Sequence, residues 1–309
     1  MTLLVDSARR MPAAFRRLPP DLAASGLMLA SFLVFTAMAV LARTVGDTIP
    51  VIEMVFVRQV AAFVFMAPLY ARFWPAIRAP RRLGLHAARG VAAVGAMMCG
   101  LSAVIWIPLA DATAIQMTEA LFATAFAGLI LRERVGWRRW LAAAAGIAGV
   151  AIMIRPFGGG LDVYALVALA GAISGAFGMI LVRLGSEYDR TETVMFWQGV
   201  VVLVLVTPLA AIHWVTPSLD DAVLLFVMSL IFTIGQWLFT AALRMGDTSA
   251  LAPLHYLRLI MMAAVGWFLY GEVPTLATAA GAVLILGAAT YTLRANARPD
   301  RRPPPSRPI

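Results

Sequence analysis

Ala112–Leu131 reads ATAIQMTEALFATAFAGLIL and is bounded by Asp111 and by the Arg132-Glu133-Arg134 cluster. A helix of about 20 apolar residues is long enough to cross the roughly 30 Å hydrocarbon core of a lipid bilayer. The stretch nevertheless carries an ionisable side chain, Glu119, about two turns from its start. Because a carboxylate at membrane depth is costly, this residue is a candidate functional group.

The composition of the whole chain is that of an integral membrane protein. Hydrophobic residues make up 61% and charged residues 13% of the 309 residues, whereas soluble domains contain roughly 25% charged residues. About ten spans fill the chain and leave almost no room for a soluble domain. We predict spans near residues 22–42, 51–71, 85–105, 112–131, 137–154, 161–183, 192–212, 220–243, 250–270 and 275–293.

Charged residues are distributed unequally between the two sides of these spans. With a cytoplasmic N-terminus, the inner loops hold the arginines of residues 9–17, 72–82, 132–139, 183–190 and 244 and of the C-terminal tail, whereas the outer loops hold only Arg43 and Arg155. This asymmetry fits the positive-inside rule and predicts ten spans with both termini in the cytoplasm. The net charge of +9 is therefore attributed to topology and to attraction to membrane lipids, and nucleic-acid binding is not expected.

A short motif occurs twice in the chain. Asp111-Ala112-Thr113-Ala114-Ile115 is repeated as Asp247-Thr248-Ser249-Ala250-Leu251, each just ahead of an apolar span. Five spans per unit, an odd number, invert the second unit relative to the first, which is typical of secondary transporters. We predict an all-α integral membrane fold of ten transmembrane helices in two inverted five-helix repeats, residues 22–156 and 157–294. A cytoplasmic arm (1–21) precedes them, and a disordered basic Pro-rich cytoplasmic tail (295–309) follows.

The sequence around both copies resembles a known family. Ile107-Pro108-Leu109-Ala110-Asp111 with Arg132-Glu133-Arg134-Val135-Gly136-Trp137, and Ala252-Pro253-Leu254-His255-Tyr256 with Gly271-Glu272-Val273-Pro274, look like the two repeats of EamA transporters of the drug/metabolite transporter superfamily. The resemblance implies a bacterial inner-membrane transporter. It also implies a candidate substrate pool of amino acids and their derivatives, S-adenosylmethionine, riboflavin and related metabolites. Glu119-Ala120 departs from the family pattern, in which an apolar residue and Pro are common.

Three charged side chains approach the membrane midplane. At about 1.5 Å per residue, Arg58 and Glu119 lie roughly 10 Å below the outer face and Arg258 roughly 12 Å above the inner face. Gln116 lies one turn from Glu119, and His255 one turn from Arg258. We expect these five residues to line a central cavity in which arginine binds a carboxylate or phosphate and Glu119 binds an amine. Glu119 and His255 are the candidate proton-coupling residues; a structural ion pair between Arg58 and Glu119 is the alternative.

Aromatic side chains beside these spans could complete such a cavity. Tyr256, Trp237 and Trp106 are candidates to stack on a planar or cationic solute, and ordinary packing is the alternative for each.

Two other features are assigned a structural role rather than a role in solute binding. Gly171 and Gly175, four residues apart, permit close helix approach, and Glu53 is interpreted as an interfacial charge near the end of its span.

The favoured function is a secondary active transporter that moves a small polar organic metabolite by alternating access. A metabolite or drug exporter of the same fold is the alternative. An intramembrane enzyme is less favoured, because the sequence lacks a clustered catalytic set. One cysteine and three histidines predict neither a metal site nor a disulfide framework, and no cofactor is expected. The expected partners are a small-molecule substrate and membrane lipids; proton coupling, transport direction, and a monomeric or homodimeric state are left open.

Overall fold

The computed structural model describes residues 20–131, 137–154, 162–186, 188–245 and 254–297. Within these ranges the chain is all-helical and contains no strand, as predicted. The helices, numbered here in chain order, are α1 Pro20–Gly46, α2 Val51–Arg72, α3 Trp74–Ile77, α4 Leu83–Trp106, α5 Leu109–Met117, α6 Glu119–Ile130, α7 Trp137–Ile154, α8 Val163–Ser186, α9 Thr191–Ile212, α10 Leu219–Met245, α11 Leu254–Tyr270 and α12 Leu276–Ala297. Several predicted features lie outside the described ranges: most of the N-terminal arm, the Arg132–Gly136 connection, the second copy of the repeated motif and most of the tail.

Seven helical segments of the described chain are long and apolar enough to cross a membrane. These are Leu22–Gly46, Val51–Arg72, Leu83–Trp106, Leu109–Ile130, Val163–Val182, Glu192–Ile212 and Leu219–Ala242. Three shorter apolar helices follow the same pattern at Trp140–Met153, Leu257–Tyr270 and Leu276–Ala288. The chain is therefore a multi-helix membrane protein, while the count of ten spans and their inverted arrangement stay predictions.

The fourth predicted span, 112–131, is not one continuous helix. It is interrupted at Thr118, which separates α5 from α6. The Thr118 amide donates to the carbonyl of Ile115 at 3.0 Å, and its hydroxyl donates to the same oxygen at 2.6 Å. A side chain that competes for a helical carbonyl disturbs the helix locally, and the sequence analysis did not predict this interruption.

The strongest helix contacts join the first half of the chain to the second half. Helix α4 packs on α8, α1 packs on α10, and α7 packs on α12. Helix α9 contacts α2 and α4, and α11 contacts α1 and α5. The two halves therefore share one interior.

Glycines permit the closest of these approaches. A Cβ added at Gly149 of α7 would lie 2.8 Å from the carbonyl oxygen of Gly281 on α12. A Cβ added at Gly171 of α8 would lie 3.0 Å from the Cβ of Cys99 on α4. Small residues at such contacts let helix backbones approach closely in a membrane, so the structural interpretation of Gly171 is confirmed.

Helix α5 is the most enclosed of the described elements. Leu109, Ala112, Ala114 and Ile115 are fully buried and belong to one cluster with residues of α1, α4, α7, α8, α11 and α12. A short helix held on all sides positions its polar side chains accurately, and Gln116 is one of them.

Candidate functional site

The break at Thr118 lies between the two polar side chains of the α5–α6 segment. Gln116 lies in the last turn of α5, and Glu119 is the first residue of α6. The amides of Leu121 and Phe122 in the first turn of α6 donate to the carbonyl of Thr118. The interruption therefore places the two polar side chains on two consecutive helical segments.

The carboxylate of Glu119 is directed at helix α8 of the second half. A Cβ added at Gly175 would lie 2.8 Å from its carboxyl carbon and 2.9 Å from each of its two oxygens. Gly175 therefore leaves the space in which this carboxylate lies. The prediction that Gly175 serves helix packing missed this second role, although the Gly171/Gly175 spacing directed attention to the correct helix face.

Arg258 of α11 reaches the same region from the second half. Its Nη2 atom donates to Oε1 of Gln116 at 3.4 Å, and Nε2 of Gln116 donates to the carbonyl oxygen of Gly100 at 3.3 Å. Arg258 also interacts electrostatically with Glu119, but within the described chain the two do not form a direct ion pair. The Nε atom of Arg258 is buried, with no hydrogen-bond partner among the described residues. The structure thus brings Gln116, Glu119 and Arg258 together, and the long hydrogen bonds leave donor capacity for a ligand.

An aromatic pair connects Arg258 with Arg58. The guanidinium carbon of Arg258 lies 5.9 Å from the ring centre of Phe35, and that of Arg58 lies 4.5 Å from the ring centre of Phe232. The two rings are 6.2 Å apart. Phe35 and Phe232 were missed by the sequence analysis, because nothing in a hydrophobic span distinguishes a phenylalanine that contacts arginine from one that contacts lipid.

Arg58 is linked to Arg258 through the Phe35–Phe232 ring pair and is not paired with Glu119 in the described chain. It is 8% exposed, and its Nη2 atom is buried without a hydrogen-bond partner among the residues that the structure describes. The described ion pairs do not include an Arg58–Glu119 contact, so the structure does not support the alternative of a structural pair. A buried guanidinium stacked on one ring, with a free donor, has the properties of an anion-binding group.

The other candidate residues are not seen at this centre. Trp106 is 52% exposed and stacks on Tyr164 with ring centres 5.5 Å apart; Trp237 is 41% exposed. Within the described ranges, neither has a ring contact or hydrogen bond with Glu119 or Arg258. The side chains of His255 and Tyr256 lie outside the part that the structure describes.

Two further polar residues of the interior have protein partners. Arg89 of α4 donates through Nε to Oε1 of Gln198 on α9 at 2.6 Å. Glu53 is fully buried, and its Oε2 atom accepts a hydrogen bond of 3.1 Å from the amide of Val215. The interpretation of Glu53 as an interfacial charge stays a prediction: the residue lies in the first turn of α2, and the α9–α10 connection contacts its carboxylate through Val215.

The site contains complementary charges and hydrogen-bonding groups. Among the described residues there is no group of three or more metal-binding side chains.

The model of the EamA-like transporter family matches residues 22–155 and 163–294. The chain belongs to the EamA-like transporter family. As an EamA-like transporter it is a multi-pass inner-membrane protein that transports small metabolites, and it is not an enzyme.

Curated relatives of this EamA-like transporter are named for different solutes. The S-adenosylmethionine uptake transporter of Rickettsia bellii is 26% identical over 268 residues, which cover 87% of this chain and 92% of the relative. The riboflavin transporter of Rhizobium johnstonii is 30% identical over 250 residues, covering 78% and 80%. The pseudopaline exporter of Pseudomonas aeruginosa is 28% identical over 270 residues, covering 86% and 95%. A solved crystal structure of another protein matches with a TM-score of 0.59 and 20% identity, over 89% of this chain and 98% of that one, which shows a likeness of fold.

Proposed function

We propose that this EamA-like transporter is a secondary active carrier for a small polar organic metabolite that bears at least one acidic group. Glu119 and Gln116 from the first half, with Arg258 from the second half, form the centre of its binding site. The single observation that carries the proposal is the buried, incompletely hydrogen-bonded guanidinium of Arg258 beside Gln116 and Glu119. Ionisable side chains at membrane depth mark solute or ion pathways.

The helix contacts support a ten-span fold of two inverted repeats. If the halves are related by a two-fold axis, exchanging them converts the α4–α8 contact into the α10–α1 contact. Both contacts are among the most extensive in the molecule. The α7–α12 and α2–α9 contacts are converted into themselves. Contacts of this kind favour alternating access, in which two equivalent halves rock about a central site. Ten spans would place both termini in the cytoplasm.

The charge of the site favours an acidic solute. Arg258 and Arg58 each retain a buried N–H donor without a partner in the described chain, whereas Glu119 contributes one carboxylate. Arginine binds carboxylates and phosphates strongly, and Glu119 is suited to an amine on the same solute. An amino acid derivative or an S-adenosylmethionine-like solute matches this arrangement; a riboflavin-like solute would use the Phe35–Phe232 pair for stacking.

Proton coupling and direction complete the proposal. Glu119 is the preferred proton-coupling residue and His255 the second candidate, since carboxylates and histidines in spans form proton relays. The relatives include two named for uptake or transport and one named as an exporter, so a metabolite or drug exporter of the same fold is the alternative. Membrane lipids are the other expected partners, and the protein would act as a monomer or a homodimer.

Counterflow in proteoliposomes tests this function. A panel of radiolabelled amino acids, S-adenosylmethionine and riboflavin is offered with and without a pH gradient. We expect saturable counterflow of at least one solute, reduced at least tenfold in Glu119→Gln and in Arg258→Gln, since a hydrogen bond to a charged group contributes about 1.5–3 kcal/mol.

Matched controls are Asp220→Asn and Arg78→Gln, which remove a charge from exposed positions. They should transport like the wild type. Equal transport by Glu119→Gln, Arg258→Gln and the controls, with all variants folded, would eliminate the proposed site.

A further inference from the structure

Arg43 lies at the end of α1, on the face of the molecule where α4 ends and α5 begins. Its guanidinium forms an ion pair with Glu272 and donates through Nε to the carbonyl of Ile105 at 3.3 Å and through Nη2 to that of Ile107 at 3.2 Å. It also lies 4.6 Å from the ring centre of Tyr270. Arg43 of the first half thus contacts both the α4–α5 connection and the α11–α12 connection.

Glu272 uses its second oxygen to hold helix α5. Its Oε2 atom accepts a hydrogen bond of 2.8 Å from the amide of Leu109, the first residue of α5. Its own amide donates to the carbonyl of Gly266 at 3.0 Å. Gly271, just before it, has φ of +65°, a left-handed conformation that glycine adopts without strain. The backbone turn therefore presents Glu272 to Arg43 and Leu109 at the same time.

The ion pair is shielded from water, unlike ordinary surface pairs. The side chains of Arg43 and Glu272 are 17% and 16% exposed, whereas Arg190 in the Arg190–Glu192 pair is 57% exposed. Shielded pairs are screened less by salt, and loss of one partner leaves the other charge uncompensated. Loss of one partner of this pair is therefore expected to cost more than loss of one partner of an exposed pair.

The same contacts connect this face to the proposed binding site. Gln116 follows Leu109 by seven residues on α5, or roughly 10 Å along the helix axis. The cavity beside Glu272 has a volume of only about 40 Å³, and metabolite sites require several hundred Å³. The cavity beside this ion pair is therefore too small to hold a metabolite.

We propose that Arg43 and Glu272 form the gate on this face and also position α5 for solute binding, with Arg43 as the gating partner and Glu272 as the positioning residue. The inference rests on the proposed function. Opening toward this face requires the ion pair to separate, which releases the start of α5 and changes the position of Gln116. Under the predicted topology this is the face opposite the cytoplasm.

Accessibility of Gln116 tests the gate without knowledge of the substrate. Gln116→Cys is introduced into a Cys99→Ser background, which removes the only native cysteine. A membrane-impermeant methanethiosulfonate reagent is then applied to each side of sealed vesicles. We expect Arg43→Gln and Glu272→Gln to raise the labelling rate from the Glu272 side about tenfold and to lower it from the other side, because weakening one closed state shifts the population toward the other.

Further variants separate gating from positioning. Glu272→Gln retains an oxygen that accepts from the Leu109 amide, whereas Glu272→Ala loses both contacts and should also weaken solute binding. Gly266→Ala keeps both charges but adds a Cβ that would overlap Oε2 of Glu272, the oxygen that accepts from the Leu109 amide, so it should weaken solute binding in the same direction as Glu272→Ala. Arg190→Gln is the matched control at a more exposed pair and should leave both labelling rates unchanged.

The outcomes distinguish the gate from a structural contact and from failure of the proposed function. If Arg43→Gln lowers the melting temperature but leaves the ratio of the two labelling rates at its wild-type value, the pair only stabilises the fold and the gate is refuted. If wild-type protein shows no counterflow and the cysteine is labelled from neither side, the proposed function itself fails. Counterflow with a side ratio changed in Arg43→Gln, Glu272→Gln and Glu272→Ala supports both.

Discussion

The substitution Gly175→Ala tests whether the Glu119 carboxylate has the position described here. The new Cβ would lie 2.8 Å from the carboxyl carbon of Glu119, whereas carbon atoms in contact are separated by roughly 3.5–4.0 Å. The carboxylate must therefore move by about 0.7 Å or more. Because it is the end of a flexible side chain, it can move without displacing either helix.

The expected effects on stability and transport differ greatly. Replacing a helical glycine by alanine stabilises by roughly 0.5–1 kcal/mol, which offsets most of the cost of moving one side chain, so the melting temperature should change by less than about 3 °C. A displaced carboxylate loses a charge-assisted contact of about 1.5–3 kcal/mol with the solute. Counterflow should therefore fall by about 10- to 100-fold.

Two other glycines provide matched controls. Gly287→Ala on α12 meets nothing within 4 Å and should leave both transport and melting temperature close to wild type. Gly171→Ala on the same helix as Gly175 would meet the backbone nitrogen of Gly100 at 3.2 Å, which cannot move independently. It should lower stability by about 1–3 kcal/mol through overpacking.

The assay combines counterflow kinetics with thermal unfolding followed by tryptophan fluorescence. Normal counterflow in Gly175→Ala would refute the position or the role of Glu119. An equal loss of melting temperature in Gly175→Ala and Gly171→Ala would show that Gly175 contacts a rigid part of the structure rather than a movable carboxylate.

Three further substitutions test the packing and hydrogen bonds, each by thermal unfolding in detergent. Gly149→Ala places a Cβ 2.8 Å from the carbonyl oxygen of Gly281 and should cost about 1–3 kcal/mol; a neutral result would contradict the close α7–α12 contact. Thr118→Val removes a hydroxyl hydrogen bond of 2.6 Å but leaves the amide hydrogen bond to the same carbonyl. We expect the free energy of unfolding to fall by about 1 kcal/mol. Unfolding that is no longer cooperative would contradict this expectation. Asp189→Asn weakens the buried contact with His86, in which Oδ2 and Nε2 are 3.0 Å apart. It should lower the free energy of unfolding by about 1.5–3 kcal/mol. A change below about 0.5 kcal/mol, as at ordinary surface sites, would contradict this expectation.

Sequence analysis correctly predicted the class of the fold, whereas the site residues stay predictions. Long apolar runs with few charges require helices in a membrane, because every backbone polar group must be satisfied within its own segment. The family resemblance is confirmed by the family model. Depth along each helix follows from residue number, and the depths predicted for Glu119 and Arg258, with Gln116 one turn from Glu119, are consistent with the three residues being neighbours. Those estimates did not exclude the Arg58–Glu119 pair, because depth does not specify which direction a side chain takes.

The sequence by itself determined that the chain folds as apolar helices in a membrane, and it identified the residues that are too polar to lie at membrane depth without a reason. Tertiary structure alone decided which helix each of these residues faces. In the folded chain the Glu119 carboxylate lies against Gly175, and Arg58 stacks on Phe232. Arg43 contacts Glu272, which is 229 residues away in sequence. The physical reason is that hydropathy and spacing depend on neighbours along one helix, whereas contacts between helices depend on packing among residues distant in sequence.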